Sequence, residues 1–327
     1  MRILVTGLGT FWGSRLARHL EQVDGIDVIV GLDTREPRLP LERTEFVRAD
    51  SSYSILSRIV RATKIDTILH THLVVDSTRG GGKRLHEINV IGTLNLLAAA
   101  GAAGSTVRKV VVKSSTLVYG ANAEDPYFFR EHVARSRSAR TPVERSLLEV
   151  ESYLHDFAED NPHVDVTLLR FANVLGDHIE TPFTRALRLP LVPEVLGFDP
   201  RLQFTHEDDV IGSIVFTAVE DVPGIYNVAG DGVLPLERGL HDHEQATGGA
   251  PPGPHPHGGH AAAMAGRGAA GRDARRAAPR AGRRQLALQA GRLRPAVHVG
   301  SDGRGVRPPH APRARDRRGP AHLPLRA

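Results

Sequence analysis

The sequence predicts an α/β protein built on a doubly wound parallel sheet, and three observations carry that prediction. Strand-like and helix-like periodicities alternate from residue 2 to about residue 236. The opening stretch, RILVTGLGTFWG at residues 2–13, reads as a buried strand, a glycine turn and the start of a helix. The second strand, IDVIVGLD, then ends in an acid, Asp33, twenty residues past Gly13.

Each element follows from its residues. Ile3, Leu4 and Val5 form the short apolar run of a strand covered on both faces, and the helix SRLARHL begins directly after Gly13. Between them lie Gly7, Gly9 and Gly13. Such a turn aims unpaired backbone N–H groups and the positive end of a helix dipole at one point, where a pyrophosphate can sit. Asp33 then stands where a carboxylate accepts hydrogen bonds from an adenosine ribose. After a polar, proline-bearing loop, TEFVRAD is a short strand ending at Asp50, and SYSILSRIVRAT has the spacing of a helix. IDTILHTHLVV predicts a fourth strand and HEINVIGTLNLLAAAGAAG a long helix. VRKVVVKSSTLVYG predicts a fifth strand with Ser114 and Ser115 at its carboxyl edge. An open parallel sheet binds ligands at that edge. RTPVERSLLEVESYLHDFAED is a further amphipathic helix, VDVTLLRFANVLG a sixth strand and GIYNVAG a last one.

Whole-chain averages conceal two unlike regions. The formal charge is +5, yet 17 arginines, no lysine and only five acids lie from Arg238 onward, so residues 1–237 carry a net charge of −7. The basic character therefore belongs to the tail, and the body is mildly acidic. Its length suffices for one sizeable core. The absence of cysteine excludes disulfides and thiolate chemistry and fits a reducing compartment. No run approaches a membrane span and no cleavable apolar leader precedes the first strand, so a cytoplasmic protein with no membrane partner is expected.

Six short stretches carry a family resemblance. TGLGTFWG, NVIGT, KSSTLVYG, LRFANVLG, HEDDV and GIYNVAG resemble, in order and approximate spacing, the TGGAGFIG, NVxGT, SSxxVYG, LRxxNVxG, HVxDV and xYNVG of one family. That family is the extended short-chain dehydrogenases/reductases, the NAD-dependent epimerases/dehydratases. The resemblance covers residues 1 to about 236. It implies a Rossmann dinucleotide-binding domain over 1–175, then a partial substrate lobe plus the last strand over 176–236. It implies a pyrophosphate turn of Gly7, Phe11, Trp12 and Gly13, with Gly9 and Thr10 inside it. Asp33 would favour NAD over NADP by repelling a 2′-phosphate, with Arg35 nearby leaving that preference open. Asp50 would accept from the adenine amino group, Asn89 would lie beside the active site, and Asn173 would pass the nicotinamide. Ser115 would orient a substrate oxygen, a strand-end hydroxyl bound to backbone being the plainer role. Asp208 and Asp209 are expected to be structural. The implied partners are a small-molecule substrate of the nucleotide-sugar kind and a second copy of the chain, paired through helices at 89–103 and 141–160.

Two departures from the pattern matter. The middle glycine is replaced by Thr10, with a glycine one place earlier at Gly9, so a Cβ stands near the closest approach to phosphate. The proton-transferring tyrosine with a lysine four residues later is absent: no Tyr-x-x-x-Lys occurs in the chain. Alignment on Glu151 puts Val143 and Leu147 at those two positions, and neither can move a proton. Removing a general acid/base costs about 10²- to 10⁴-fold in rate. His70 and His72, alternating near the end of the fourth strand, are the best substitutes, with His72 the candidate proton carrier. A two-histidine metal site lacks an evident third ligand. Glu144 and Arg145 are weaker candidates. Two functions stay open: an atypical epimerase/dehydratase-like enzyme, and a non-catalytic dinucleotide-binding sensor or structural protein.

Residues 237–327 form a low-complexity basic tail. From Arg238 there is no Phe, Tyr, Trp or Ile, and only six Leu, three Val and one Met. Burying all ten would return on the order of 30 kcal/mol, against a conformational cost of order 130 kcal/mol, so the tail is expected to be disordered. Its arginines lack aromatic interleaving, which argues against a nucleic-acid partner beyond salt-sensitive attraction. The composition is that of GC-rich DNA read out of register. Read one nucleotide later, the degenerate codons of ALQAGRLRPAVHV at 287–299 permit RFRRAGFAPQFTS, resembling a GFxPxxT(S) segment near the end of the family's chains. A shifted reading frame from about residue 237, with a genuine low-complexity tail as the alternative, is the expectation.

Overall fold

Alternating strands and helices build one continuous sheet in the structure, a computed structural model that describes residues 1–76, 81–121, 125–126, 128–188 and 201–235. In chain order the elements begin β1 (Arg2–Thr6), α1 (Phe11–Leu20), β2 (Val28–Asp33), β3 (Thr44–Arg48), α2 (Tyr53–Ala62) and β4 (Thr67–His70). Then come α3 (Gly82–His86), a π-helical turn (Glu87–Ile91), α4 (Gly92–Ala100), β5 (Lys109–Ser115), a 3-10 turn (Thr116–Tyr119) and α5 (Pro142–Asp160). The remaining elements are β6 (Asp165–Phe171), β7 (Asn173–Leu175), α6 (Pro182–Leu187), β8 (Arg201–Leu202), β9 (Phe204–His206), α7 (Glu207–Val219), β10 (Gly224–Val228) and β11 (Leu234–Pro235).

Seven strands pair in the order β10-β6-β5-β4-β1-β2-β3, each parallel to its neighbours. This is the doubly wound Rossmann sheet expected from the sequence. Strand order reverses between β1 and β4, where Thr6 stands opposite His70. An open α/β sheet opens its ligand crevice at such a point. One face of the sheet buries Leu4, Val30, Ile68, Val110 and Val112 under α2, α4 and α5. The other buries Ile3, Val5, Ile29, Leu69 and Val111 under α1 and α7. Alternate residues of each strand thus serve opposite layers, which is why the strands read as continuous apolar runs.

Three elements differ from the sequence expectation. The fourth strand stops at His70, so His72 lies beyond it; the Thr71 N–H still donates to the Thr6 carbonyl at 3.3 Å, but the Leu8 N–H goes to the Leu32 carbonyl on β2 as the chain enters the glycine turn. The long helix is divided into α3 and α4 by the π-helical turn around Asn89. The sixth strand breaks after Phe171, so that Asn173–Leu175 pairs with Phe204–His206 in a separate two-stranded piece. Outside the seven-stranded sheet, β8 pairs with β11 and β7 with β9, and α6 lies between β7 and β8 in the chain. The tail, with its expected disorder and frame shift, lies outside the described residues.

Candidate functional site

The turn after β1 is closed by its own hydrogen bonds. Gly7 holds a left-handed φ of +78°, and its carbonyl accepts from the Thr10 N–H at 2.9 Å and the Thr10 hydroxyl at 2.7 Å. Thr10 caps α1, its Oγ1 accepting from the Gly13 N–H at 3.1 Å. The hydroxyl that replaces the family's glycine thus takes one donor that the helix would otherwise present, and leaves those of Phe11 and Trp12 at the helix start. A Cβ at Gly13 would collide with the Gly7 carbonyl, and one at Gly9 would stand 2.7 Å from the Arg35 carbonyl oxygen. Glycine is required at both because the turn packs directly on β1 and on the chain after β2.

Asp33 ends β2 and is 2% exposed. Its carboxylate accepts from the Gly9 N–H at 3.0 Å and the Arg35 N–H at 2.9 Å. The acid and the glycine turn are therefore joined directly, over 24 residues of sequence. Asp50 is exposed just after β3, where one oxygen accepts from the Ser52 N–H. Asn173 is exposed at the start of β7, past the edge of the main sheet. Asn89 is 0% exposed and fully occupied: its oxygen accepts from the Val74 N–H, and its amide donates to the Val74 carbonyl and the Ser146 hydroxyl. It clamps the loop after β4 to α5 and has no donor left over.

The two histidines part company. His70 is buried, with Nδ1 2.6 Å from the Thr6 hydroxyl and Nε2 3.0 Å from the Thr93 hydroxyl. Burial, with His72 nearby, pushes its pKa down to about 3. It is a neutral core histidine. His72 lies across the strand-order reversal, its backbone and Cβ about 3 Å from where a Cβ on Gly7 would stand. Burial lowers its pKa, opposed by the Asp33 carboxylate and reinforced by Arg35. Its electrostatic neighbours stand at and just after the end of β2. Among the described residues no group of three His, Asp or Glu side chains stands close enough to hold a metal ion.

At the far half of the edge, Ser115 caps the 3-10 turn and accepts from the Leu117 N–H at 3.3 Å, its own hydroxyl proton remaining for another acceptor. Ser114 is buried and donates to Glu151 at 2.9 Å. Glu151 forms a two-pronged ion pair with Arg170, at 2.6 Å to Nη2, and Arg170 also donates to the Tyr119 hydroxyl at 2.7 Å. Tyr119 donates in turn to Asn227 at 2.8 Å and stacks on Phe129. Burial raises the Tyr119 pKa against the pull of Arg170. Its phenol is committed to this network. On α5, Val143 and Leu147 are 2% and 0% exposed and sit in the core. Glu144 is bound by Arg135 and the Arg140 N–H, which hold its pKa down against burial. Tyr153 is on the outer surface, and Tyr127 lies outside the described residues.

Sequence reasoning missed Lys113. It is 4% exposed, with Nζ 5.1 Å from the Trp12 ring and 5.8 Å from the Phe171 ring. Burial brings its pKa down to about 8. The signal was present as a lysine inside the apolar run VVVKSS.

Comparison with known proteins decides the family. The profile of the NAD dependent epimerase/dehydratase family matches residues 3–229. The chain belongs to that family. An uncharacterized protein of Mycobacterium tuberculosis (strain ATCC 25618 / H37Rv) is 35% identical over 243 residues, 73% of this chain and 64% of the relative. The chain thus spans less than two thirds of that relative's length. UDP-glucose 4-epimerase of Erwinia amylovora is 33% identical over 192 residues, 54% of this chain and 55% of the relative. Among solved structures, MoeE5 in complex with UDP-glucuronic acid and NAD superposes with a TM-score of 0.63 at 25% identity, covering 76% of this chain and 83% of that one. UDP-glucose 4-epimerase of Thermotoga maritima with UDP-glucose shares the fold, with a TM-score of 0.63 at 21% identity over 76% of this chain and 83% of that one. Among the described residues of this family member, no helix is long and apolar enough to cross a membrane.

Proposed function

We propose that the protein binds NAD across the carboxyl edge of its sheet and acts on a nucleotide sugar as an epimerase- or dehydratase-like enzyme with an atypical proton carrier. The observation that carries the cofactor reading is the Asp33 carboxylate on the Gly9 N–H, beside the start of α1 and at the reversal of strand order. These residues fit NAD: Gly7, Gly9 and Gly13 keep the turn tight, and Phe11 and Trp12 offer backbone donors to the diphosphate. Thr10 caps the helix without filling the turn. Asp33 serves the adenosine ribose, which disfavours a 2′-phosphate, and Asp50 the adenine. Bound NAD supplies the hydride chemistry. Ser115 orients a substrate hydroxyl or carbonyl, with Asn173 on the nicotinamide side, and His72, neutral near physiological pH, is the available proton carrier. The relatives that act on or hold UDP-sugars support the substrate class.

A specific observation favours a second reading, a non-catalytic dinucleotide-binding sensor or structural protein. The two positions of the family's reactive pair, Val143 and Leu147, are core residues, and His72 keeps company with Asp33 and Arg35. Calorimetric titration with NAD and NADP, followed by turnover assays with UDP-sugars, separates the cases. Turnover that disappears in His72→Ala supports the enzyme. NAD binding without turnover of any UDP-sugar supports the binding protein, and no dinucleotide binding below millimolar concentration refutes both.

A further inference from the structure

The fold leaves one buried charge unaccounted for. Lys113 stands in the central strand β5, 4% exposed, and its ammonium has no ion pair and no hydrogen bond among the described residues. The neighbouring buried cations are satisfied. Lys109 donates to the Ala218 and Glu220 carbonyls and pairs with Asp221, and Arg170 is held by Glu151. Lys113 has only the faces of Trp12 and Phe171, at 5.1 and 5.8 Å. Two such ring contacts do not match the penalty of withdrawing an ammonium from water. A buried group that the fold itself does not satisfy points to a ligand.

Its position identifies the ligand's chemistry. Trp12 is the second residue of α1, in the turn of helix whose free donors face the mouth of the glycine turn. Thr10 has withdrawn the Gly13 N–H from that mouth. An anion seated there meets fewer backbone donors than three, and the Lys113 ammonium, 5.1 Å from the ring of Trp12, is the nearby positive charge that can offset the loss. We propose that Lys113 is a diphosphate-binding residue, its ammonium supplying to a bound dinucleotide the positive charge that capping by Thr10 removes from the helix start. This rests on the NAD reading above.

The test compares the wild type with Lys113→Met and Lys113→Gln, two neutral side chains of similar length, so that one folded variant suffices. Affinities are measured by calorimetry for NAD and for ADP-ribose, which carry the diphosphate, and for adenosine, which does not. Melting temperatures are taken without ligand. The expected result is a Kd for NAD and ADP-ribose weakened about tenfold or more, the scale of one lost charge-assisted contact. Adenosine binding stays unchanged, and the ligand-free variant melts no lower than the wild type, since an unsatisfied buried charge has been removed. A folded variant that binds NAD within about twofold of the wild type overturns the proposal, as does an equal loss of adenosine affinity. Failure of the wild type to bind any dinucleotide removes the NAD reading and this role together. Normal wild-type binding with an indifferent variant removes only the role of Lys113.

Discussion

Arg170→Met is expected to be among the most destabilising single changes in the described domain. Arg170 and Glu151 have side chains only 10% exposed each, and the guanidinium makes contacts of 3.2, 3.1 and 2.6 Å with the carboxylate. It also donates to the Tyr119 hydroxyl and the Glu131 carbonyl. Met fills much of the space but leaves Glu151 with the Ser114 hydroxyl as its one remaining partner among these groups. Breaking a buried pair from one side costs about 3–5 kcal/mol. For a domain of this size that corresponds to a fall in Tm of roughly 6–20 °C. The double variant Glu151→Gln, Arg170→Met removes both charges and keeps an amide for Ser114, so it should recover about half of the loss or more. Urea titration and thermal melting of the wild type, both single variants and the double variant complete the cycle. A loss below about 1 kcal/mol for Arg170→Met, or strictly additive single effects, would refute the reasoning, because an exposed pair behaves that way.

Three further outcomes bear on the site and one on the gene. Asp33→Ala should weaken NAD about tenfold or more and NADP less, measured by calorimetry; equal losses would mean that the carboxylate serves only the Gly9 and Arg35 N–H groups. His70 has its pKa depressed from 6.5 to about 3, so the stability it contributes is complete above about pH 6.5 and is lost as pH falls toward about 3. The expected penalty between pH 7 and pH 5 is about 2 kcal/mol, read from urea midpoints. A His70→Gln variant with an equally steep profile would assign that slope elsewhere. Sedimentation should show a homodimer through the helices around Ile91, 42% exposed, and Tyr153, 37% exposed, and monomer alone at micromolar concentration contradicts it. Resequencing the gene should reveal a single-base shift near codon 237; an intact frame with no family-like continuation one nucleotide over ends that proposal.

The half of the site written in local pattern was legible. The strand at Ile3 to Val5, the glycines and Asp33 lie within one periodic stretch, and the structure joins them through the Gly9 N–H. The length of β4 was not, because it depends on its pairing with β1, and the alternation of His70 and His72 on one strand face disappeared with it. The network of Ser114, Glu151, Arg170, Tyr119 and Asn227 was also invisible. Its bonds join residues 37, 19, 51 and 108 positions apart, and no hydropathy period records such separations. Asn89 was read as lying beside the active site, but the donor count of a single carboxamide shows it saturated once Val74 and Ser146 are seen around it. Lys113 was legible as an anomaly and not as a role, since only the packing shows that no counter-ion among the described residues meets it.

The same packing constrains what chemistry the family fold can perform here. An acid/base on α5 has to reach the carboxyl edge of the sheet from the face that carries Val143 and Leu147, and both are sealed in the core. Lysine at Leu147, a fully buried position, would bury an ammonium and still lack the tyrosine at Val143, so a single substitution cannot restore the missing pair. Tyr119 cannot take over without releasing Arg170 and Asn227, and its raised pKa makes it a poorer acid than a free phenol. On the proposed enzyme reading, proton transfer is left to His72, since α5 and Tyr119 do not offer it. His72 is already neutral and is tied electrostatically to Asp33, the group expected on the ribose. Asp33 and His72 are thus one electrostatic cluster, and a change that disturbs Asp33 disturbs both. If the protein is an enzyme, NAD affinity and the pH dependence of turnover should shift together in Asp33 variants; in a binding protein only the affinity has anything to shift.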